Sequence, residues 1–308
     1  MAATEIPTRH NGERKLDEKF AAKAKAWAVG SPLLSTTHDI YWGDARVMEG
    51  LRDERPVHLV VTSPPYWDLI NYESASGHGQ LGHISDRDIF LDQLDEVWTQ
   101  CFERLTPGGR LCIVVGDVCR SRKQHGRHRV DPLHAHIQVR CQEIGFDPLA
   151  TIFWHKIANM RTEAGGPSAF LGKPYEPNAV IKNDVEFILA FRKPGGYRKP
   201  SQEQRDLSLI EKEDHQRWFR QIWTDIPGES RTDHPAPYPS SLAARLISMY
   251  SFVGDTVLDP FWGIGNTTVA AIETHRCSVG FEVEPSYLLK AKELLSQKTF
   301  NSNVIFHD

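Results

Sequence analysis

From His38 onward the apolar positions follow two alternating periods. Short blocks rich in Val, Ile, Leu and aromatics, at 39–42, 57–61, 111–115, 150–154, 185–191, 256–258 and 277–281, have the length and content of buried strands. Between them the spacing turns helical. Phe90, Leu94, Val97, Trp98, Cys101, Phe102 and Leu105 mark a helix over 86–105, which Thr106-Pro107-Gly108-Gly109 closes. The same reasoning predicts helices over 131–144, 240–250, 267–274 and 286–296. Repeated β-α-β order implies an α/β fold with a doubly wound, mostly parallel sheet.

Two stretches break this rhythm. Residues 1–37 are rich in Lys, Glu and Ala, with a helix-compatible middle at 13–29 closed by Gly30-Ser31-Pro32, and read as an N-terminal extension. Residues 157–183 and 194–235 are rich in Gly, Pro, Asn and charge and hold neither period, which suggests an insertion over 157–235 with one sheet strand near 185–191. The remaining units are then 38–156 and 236–308. No apolar run approaches the roughly 18 residues of a membrane span, and the opening MAATEIPTRHNGERK is too polar for a signal peptide. The expectation is a soluble, cytoplasmic protein without a membrane partner. Cys101, Cys112, Cys119, Cys141 and Cys277 form no CxxC pair, so free thiols in a reducing compartment are expected. With 36 basic and 40 acidic residues the net charge is -4, and no global cationic field selects a partner.

In open α/β sheets ligands bind outside the carboxyl ends of the strands, so strand-to-loop junctions hold the candidate chemistry. The first junction runs from Val257 through Asp259, Gly263 and Gly265 to Thr268. Its glycines let backbone approach a ligand, and Asp259 can accept a bond from an ammonium group. Thr268 stands where a dinucleotide loop needs its third glycine, and no GK[ST] follows, so pyrophosphate and Walker readings are weak. A plain tight β-α turn is the bland alternative. Glu282 ends the next strand, where a carboxylate grips the ribose diol in nucleoside-cofactor folds; an exposed strand-end residue is its alternative. The second junction is Thr62-Ser63-Pro64-Pro65-Tyr66-Trp67. Two prolines stiffen the loop and remove two donors, leaving carbonyls and the Ser63 hydroxyl as acceptors beside two aromatic faces fit for a nucleobase. A rigid turn with both aromatics in the core would look the same.

On these residues the chain resembles the permuted, beta group of DNA amino-methyltransferases. The group's target-base motif, (D/N/S)PP(Y/F/W), stands as Ser63-Pro64-Pro65-Tyr66, and its S-adenosylmethionine motif, DPFxGxG, as Asp259 to Gly265. His234 to Pro239, Gly280-Phe281-Glu282 with Pro285 and Tyr287, and Trp154-His155-Lys156 extend the similarity over most of 38–298. The resemblance implies a seven-stranded, circularly permuted sheet whose cofactor strands come last, with the 39–42 strand beside the 277–281 strand. It makes 38–156 the catalytic half, 157–235 the target-recognition region and 236–308 the cofactor half. It implies S-adenosyl-L-methionine as cofactor, contacted by Asp44, Asp259, Phe261, Gly263, Gly265, Asn266, Thr267 and Glu282. Double-stranded DNA is the implied substrate, a cognate restriction endonuclease a compatible partner, and a bacterial, archaeal or phage-host cell the setting. Two positions depart from the group: Asn266 where Thr is frequent, and Trp262 where a small residue is frequent.

Methylating an exocyclic amine requires freeing the nitrogen lone pair and aiming it at the methyl. The Pro64 carbonyl and Ser63 hydroxyl are the expected acceptors, with Pro65 stiffening the turn and Tyr66 stacking on an extruded base. Methylation at carbon 5 of cytosine would need a thiolate, usually after a proline, and no Cys here follows Pro. By resemblance, Ser63 points to cytosine N4; a neutral hydroxyl serves either base, so adenine N6 stays open. Arg120, Arg122, Lys123, Arg127 and Arg129 meet no acid before Asp131 and are expected on DNA phosphates, the alternative being a solvated loop. Arg192, Lys193, Arg198 and Lys199 form a second basic cluster. Asn159, Arg161, Asn178, Lys182 and Asn183 are suited to base edges. His125, His128, His134 and His136 suggest no metal, since amino-group transfer needs none. An RNA or small-molecule N-methyltransferase would not need the insertion and the basic loop, and a non-catalytic binding module would not need both motifs intact.

Overall fold

The computed structural model describes residues 30–51, 55–67, 79–156, 183–228, 238–296 and 302–307. The seven expected strands are β1 (Thr36–Trp42), β2 (Val57–Thr62), β3 (Leu105–Val115), β7 (Ile152–His155), β8 (Val185–Arg192), β10 (Thr256–Asp259) and β11 (Cys277–Glu282). They form the unbroken middle of one sheet in the order β1-β11-β10-β2-β3-β8-β7. Strand β1 lies parallel to β11, with Ile40 opposite Gly280, so the neighbour missing from the chain's end is supplied by its beginning.

The sheet has ten strands, which corrects the expectation of seven. Strand β12 (Ser302–His307) pairs parallel with β1 at one edge, β9 (Ile222–Trp223) with β7 at the other, and β6 (Asp147–Pro148) joins β8. All three are short or half-exposed edge elements, which carry too few apolar residues to stand out in a sequence. A separate hairpin, β4 (Val118–Arg120) and β5 (Arg129–Asp131), follows β3.

Both sheet faces are covered, and strict alternation divides the strands between them. In β3, Leu111, Ile113 and Val115 face the helices α1 (Arg87–Arg104) and α3 (Leu133–Ile144), whereas Cys112 and Val114 face α6 (Ser240–Tyr250). Asp86 caps α1 by accepting from the Asp88 and Ile89 amides. Helix α7 (Asn266–Glu273) packs beside α6, and α8 (Pro285–Ser296) covers β11 with Leu288, Ala291 and Leu295. The parallel strands β10 and β2 are neighbours, but the chain leaves β10 towards β11 and leaves β2 towards β3. Their carboxyl ends therefore open a crevice at the switch point of the sheet.

Residues 197–210 lie elsewhere. Arg198 pairs with Asp255, the Ser208 hydroxyl accepts from the Val253 amide, and Gln204 of α4 (Gln202–Leu207) donates to the Val253 carbonyl. These contacts sit at the amino ends of the strands, opposite the crevice. Among the described residues no helix is long and apolar enough to cross a membrane.

Candidate active site

Because β2 and β10 pair with Val60 opposite Leu258, Thr62 and Asp259 leave the sheet side by side. The Thr62 hydroxyl donates to Asp259 Oδ1 at 2.7 Å, so the two motifs are bonded to each other. The loops beyond them line an open cleft. Ser63, Pro64, Pro65 and Tyr66 line one side. Phe261, Gly263, Glu282 and Tyr287 line the other, with Asp44 at the end of β1.

On the β10 side the carboxylates are held from beneath. Asp259 is buried and accepts from Thr62, the Phe261 amide (3.1 Å), Tyr238 (3.1 Å) and Thr267. Burial pushes its pKa up, and the donors pull the other way. Glu282 accepts from the Gly263 amide at 2.7 Å and the Glu284 amide at 2.9 Å, and burial raises its pKa to about 7. Gly263 and Gly265 take φ of +56° and +89°, a conformation glycine adopts without strain. Trp262 turns down into the core, 3% exposed, with its indole donating to Thr268 at 2.8 Å. Gly280 makes this possible, since a Cβ there would lie 2.3 Å from the indole. The bulky departure at 262 thus stays out of the cleft.

Asp44 is gripped by Arg46, whose amide and Nε donate to Oδ1 at 2.9 and 3.0 Å. Across the cleft, Tyr66 donates to Glu186 Oε2 at 3.1 Å and Ser63 donates to the Tyr66 hydroxyl at 3.4 Å. Lys156, at the end of β7, pairs with Glu186 Oε1 at 2.8 Å. Trp67, at φ +52°, carries the Arg120 guanidinium 4.0 Å above its ring.

The family model described as DNA methylase, for N6 and N4 methyltransferases, matches residues 57–293. The chain belongs to this DNA methylase family. The methylase is 40% identical over 281 residues to the Type II methyltransferase M.MjaI of Methanocaldococcus jannaschii, covering 82% of this chain and 89% of that protein. It is 34% identical over 276 residues to the Type II methyltransferase M.MthZI of Methanothermobacter thermautotrophicus, covering 82% and 75%. Its fold matches the protein TTHA0409 of Thermus thermophilus, solved with S-adenosyl-L-methionine, at a TM-score of 0.72 and 49% identity over 88% of this chain and 99% of that one.

This methylase acts on DNA and uses S-adenosylmethionine. Its residues fit that cofactor in their chemistry, with carboxylates at Asp44 and Glu282 for donors and apolar walls at Leu81, Phe261 and Val283 for a purine. Of the expected cofactor residues, Asp44, Phe261, Gly263 and Glu282 line the cleft, and Asp259, Gly265, Asn266 and Thr267 do not. Asp259 spends its carboxylate on the protein's own donors, and Asn266 donates to the Tyr238 carbonyl at 2.7 Å. Both shape the loop from behind.

The basic loop is corrected in part. Lys123, Arg127 and Arg129 are exposed on or beside the β4–β5 hairpin, and Arg122 lies on its helical turn (Arg122–His125). Arg120 instead folds inward, buried with its guanidinium over the Trp67 indole and paired with Asp131 at 3.0 Å. In the second cluster Arg192 pairs with Asp147, Lys193 donates to the Leu105 carbonyl and Arg198 pairs with Asp255. His134 is held by Asp117 at 2.6 Å and stacks on Phe187. Asn183 donates to the Asp117 carbonyl. Asn159, Arg161, Asn178, Lys182, His234 to Pro237, and residues 1–29 lie outside the described residues.

Sequence reasoning missed Tyr238, Glu186 and Lys156 as site residues. Tyr238 had a signal, the aromatic within the proline-rich approach to the cofactor loop. Glu186 had a weaker one, an acid inside the apolar run VEFILAF.

Proposed function

We propose that the protein methylates the exocyclic N4 of cytosine in duplex DNA, on a base turned out of the helix into the cleft. The observation that carries this reading is that Ser63 to Tyr66 line the same cleft as Asp44 and Glu282. Glu282 takes the ribose hydroxyls of the cofactor and Asp44 its adenine amino group, with Gly263 allowing close approach. When bound, S-adenosylmethionine supplies a methyl carbon on a cationic sulfur, which keeps the electron pair as the C–S bond breaks and the N–C bond forms.

The chain's own residues prepare the nitrogen. The Pro64 carbonyl and the Ser63 hydroxyl accept the two amino hydrogens, which localises the lone pair, and Tyr66 stacks on the ring. After transfer the nitrogen carries one proton too many and releases it to water. The hydroxyl at Ser63, where the family also uses Asp or Asn, supports cytosine as the base. Lys123, Arg127 and Arg129 take phosphates from the hairpin. Sequence readout falls to residues 157–183, since both flanks, Lys156 and Asn183, are fixed beside the target side of the cleft. The Type II names of the relatives support a restriction endonuclease of matching specificity as partner.

The test is incubation with labelled S-adenosylmethionine and unmethylated plasmid DNA, followed by mass identification of the modified nucleoside. N4-methylcytosine is the expected product. N6-methyladenine would move the target to adenine, and absence of label from DNA would overturn the reading.

A further inference from the structure

Two charged side chains with little exposure on the target side have no task in the chemistry above. Lys156 follows β7, Glu186 opens β8, and the antiparallel register sets Trp154 opposite Glu186, which brings the two side chains together. Their ion pair is 2.8 Å long, with the side chains 11% and 12% exposed. A pair so little exposed costs desolvation on both partners, and apolar residues of similar volume are often as stable or more so. Stability alone does not account for it.

The second carboxylate oxygen of Glu186 accepts the Tyr66 hydroxyl at 3.1 Å, and the Tyr66 oxygen accepts the Ser63 hydroxyl at 3.4 Å. The last contact is long, and catalytic hydrogen bonds commonly tighten only around substrate. Gly116 of the β3 end leaves room for this row: a Cβ there would lie 3.2 Å from the Tyr66 ring and 3.5 Å from Glu186 Cγ. Each hydroxyl has one proton to give, a carboxylate can only accept, and an ammonium can only donate. The row therefore has a direction. Lys156 gives to Glu186, Tyr66 gives its proton to Glu186, Ser63 gives its proton to Tyr66, and Ser63 is left with lone pairs alone.

We infer that Lys156 and Glu186 are positioning residues that make Ser63 an obligatory acceptor, so that the cleft selects bases bearing an amino group over bases presenting a carbonyl at that place. The inference rests on the proposed role of Ser63 towards the target amine. It assigns specificity to groups that never touch the base.

The experiment compares Glu186→Gln, Tyr66→Phe and their double variant with wild type on unmethylated plasmid DNA. The amide can donate towards Tyr66 and so lets the row run backwards. Glu186→Gln is expected to lower kcat about thirtyfold, the size of one lost charge-assisted bond, with S-adenosylmethionine affinity by calorimetry within about twofold of wild type. Tyr66→Phe keeps the ring and cuts the row, so the double variant is expected to be no slower than Tyr66→Phe alone. Losses that multiply would overturn the inference, as would an unchanged kcat in Glu186→Gln. Should that variant fail to fold because Lys156 is left unpaired, Glu186→Gln with Lys156→Met removes both charges. That pair is expected to melt no lower than wild type and still turn over slowly, and wild-type kcat there would refute the row. Wild type failing to methylate DNA sinks the proposed function itself; wild type active with Glu186→Gln equally active sinks only the row.

Discussion

On the β10 side of the cleft nearly every polar atom is already bonded within the protein. Asp259 takes four donors from four separate places in the chain, Glu282 takes two backbone amides, and Trp262 plugs the floor of the loop. On the β2 side the turn is stiffened by two prolines, yet its Ser63 makes a 3.4 Å contact and its neighbouring hairpin holds exposed cations. In the proposed reading the donor side meets the same small molecule at every turnover and can be built in advance, whereas the target side admits a base from a polymer and keeps part of its bonding capacity for the substrate.

The largest expected effect breaks the donor side. Asp259→Asn replaces an acceptor-only group by one that places an amide among donors, and should destabilise the fold by about 3 kcal/mol. Thermal unfolding checks this, with Ser63→Ala as the contrast, expected to cost less than about 1 kcal/mol while abolishing methylation.

The next concerns protons on the donor side. In the proposed reading ribose hydroxyls donate into an ionised Glu282, and burial raises the pKa of that carboxyl to about 7. Cofactor affinity by calorimetry should therefore weaken as pH falls through that value, approaching about tenfold per pH unit below it, and Glu282→Gln should abolish the dependence. The fold's own stability runs the other way. The folded carboxyl holds its proton above the ordinary value of 4.5, so its contribution is full below 4.5 and is lost as pH rises towards 7.

The smallest effect sharpens the target side. Replacing Lys123, Arg127 and Arg129 by Ala should each reduce the salt slope of DNA binding by about one. Arg120→Ala should leave the slope unchanged and lower the melting temperature, since that guanidinium lies on Trp67. Filter binding across a salt series separates the two outcomes.

What could be read in the sequence follows from what each feature depends on. The seven central strands were legible because burial on both faces makes them continuous apolar runs, as in VHLVV and VEFILAF. Both motif loops were legible because they sit where such strands end. Strand β12 was not, being half-exposed at an edge. A run of charge shows that a loop is basic but not that Arg120 turns inward, which depends on Trp67 from the loop after β2. The spacing places a carboxylate at 259, yet its saturation needs Thr62 and Tyr238, which only the fold brings to it. The Lys156–Glu186 pair exists only through the register of β7 and β8.

The bond from Thr62 to Asp259 joins positions 197 residues apart in the chain and one hydroxyl apart in space. Whichever half leaves the ribosome first, the working corner is complete only when the other arrives to close that contact. The geometry of that corner is therefore anchored by neighbours in the sheet and not by nearness along the chain.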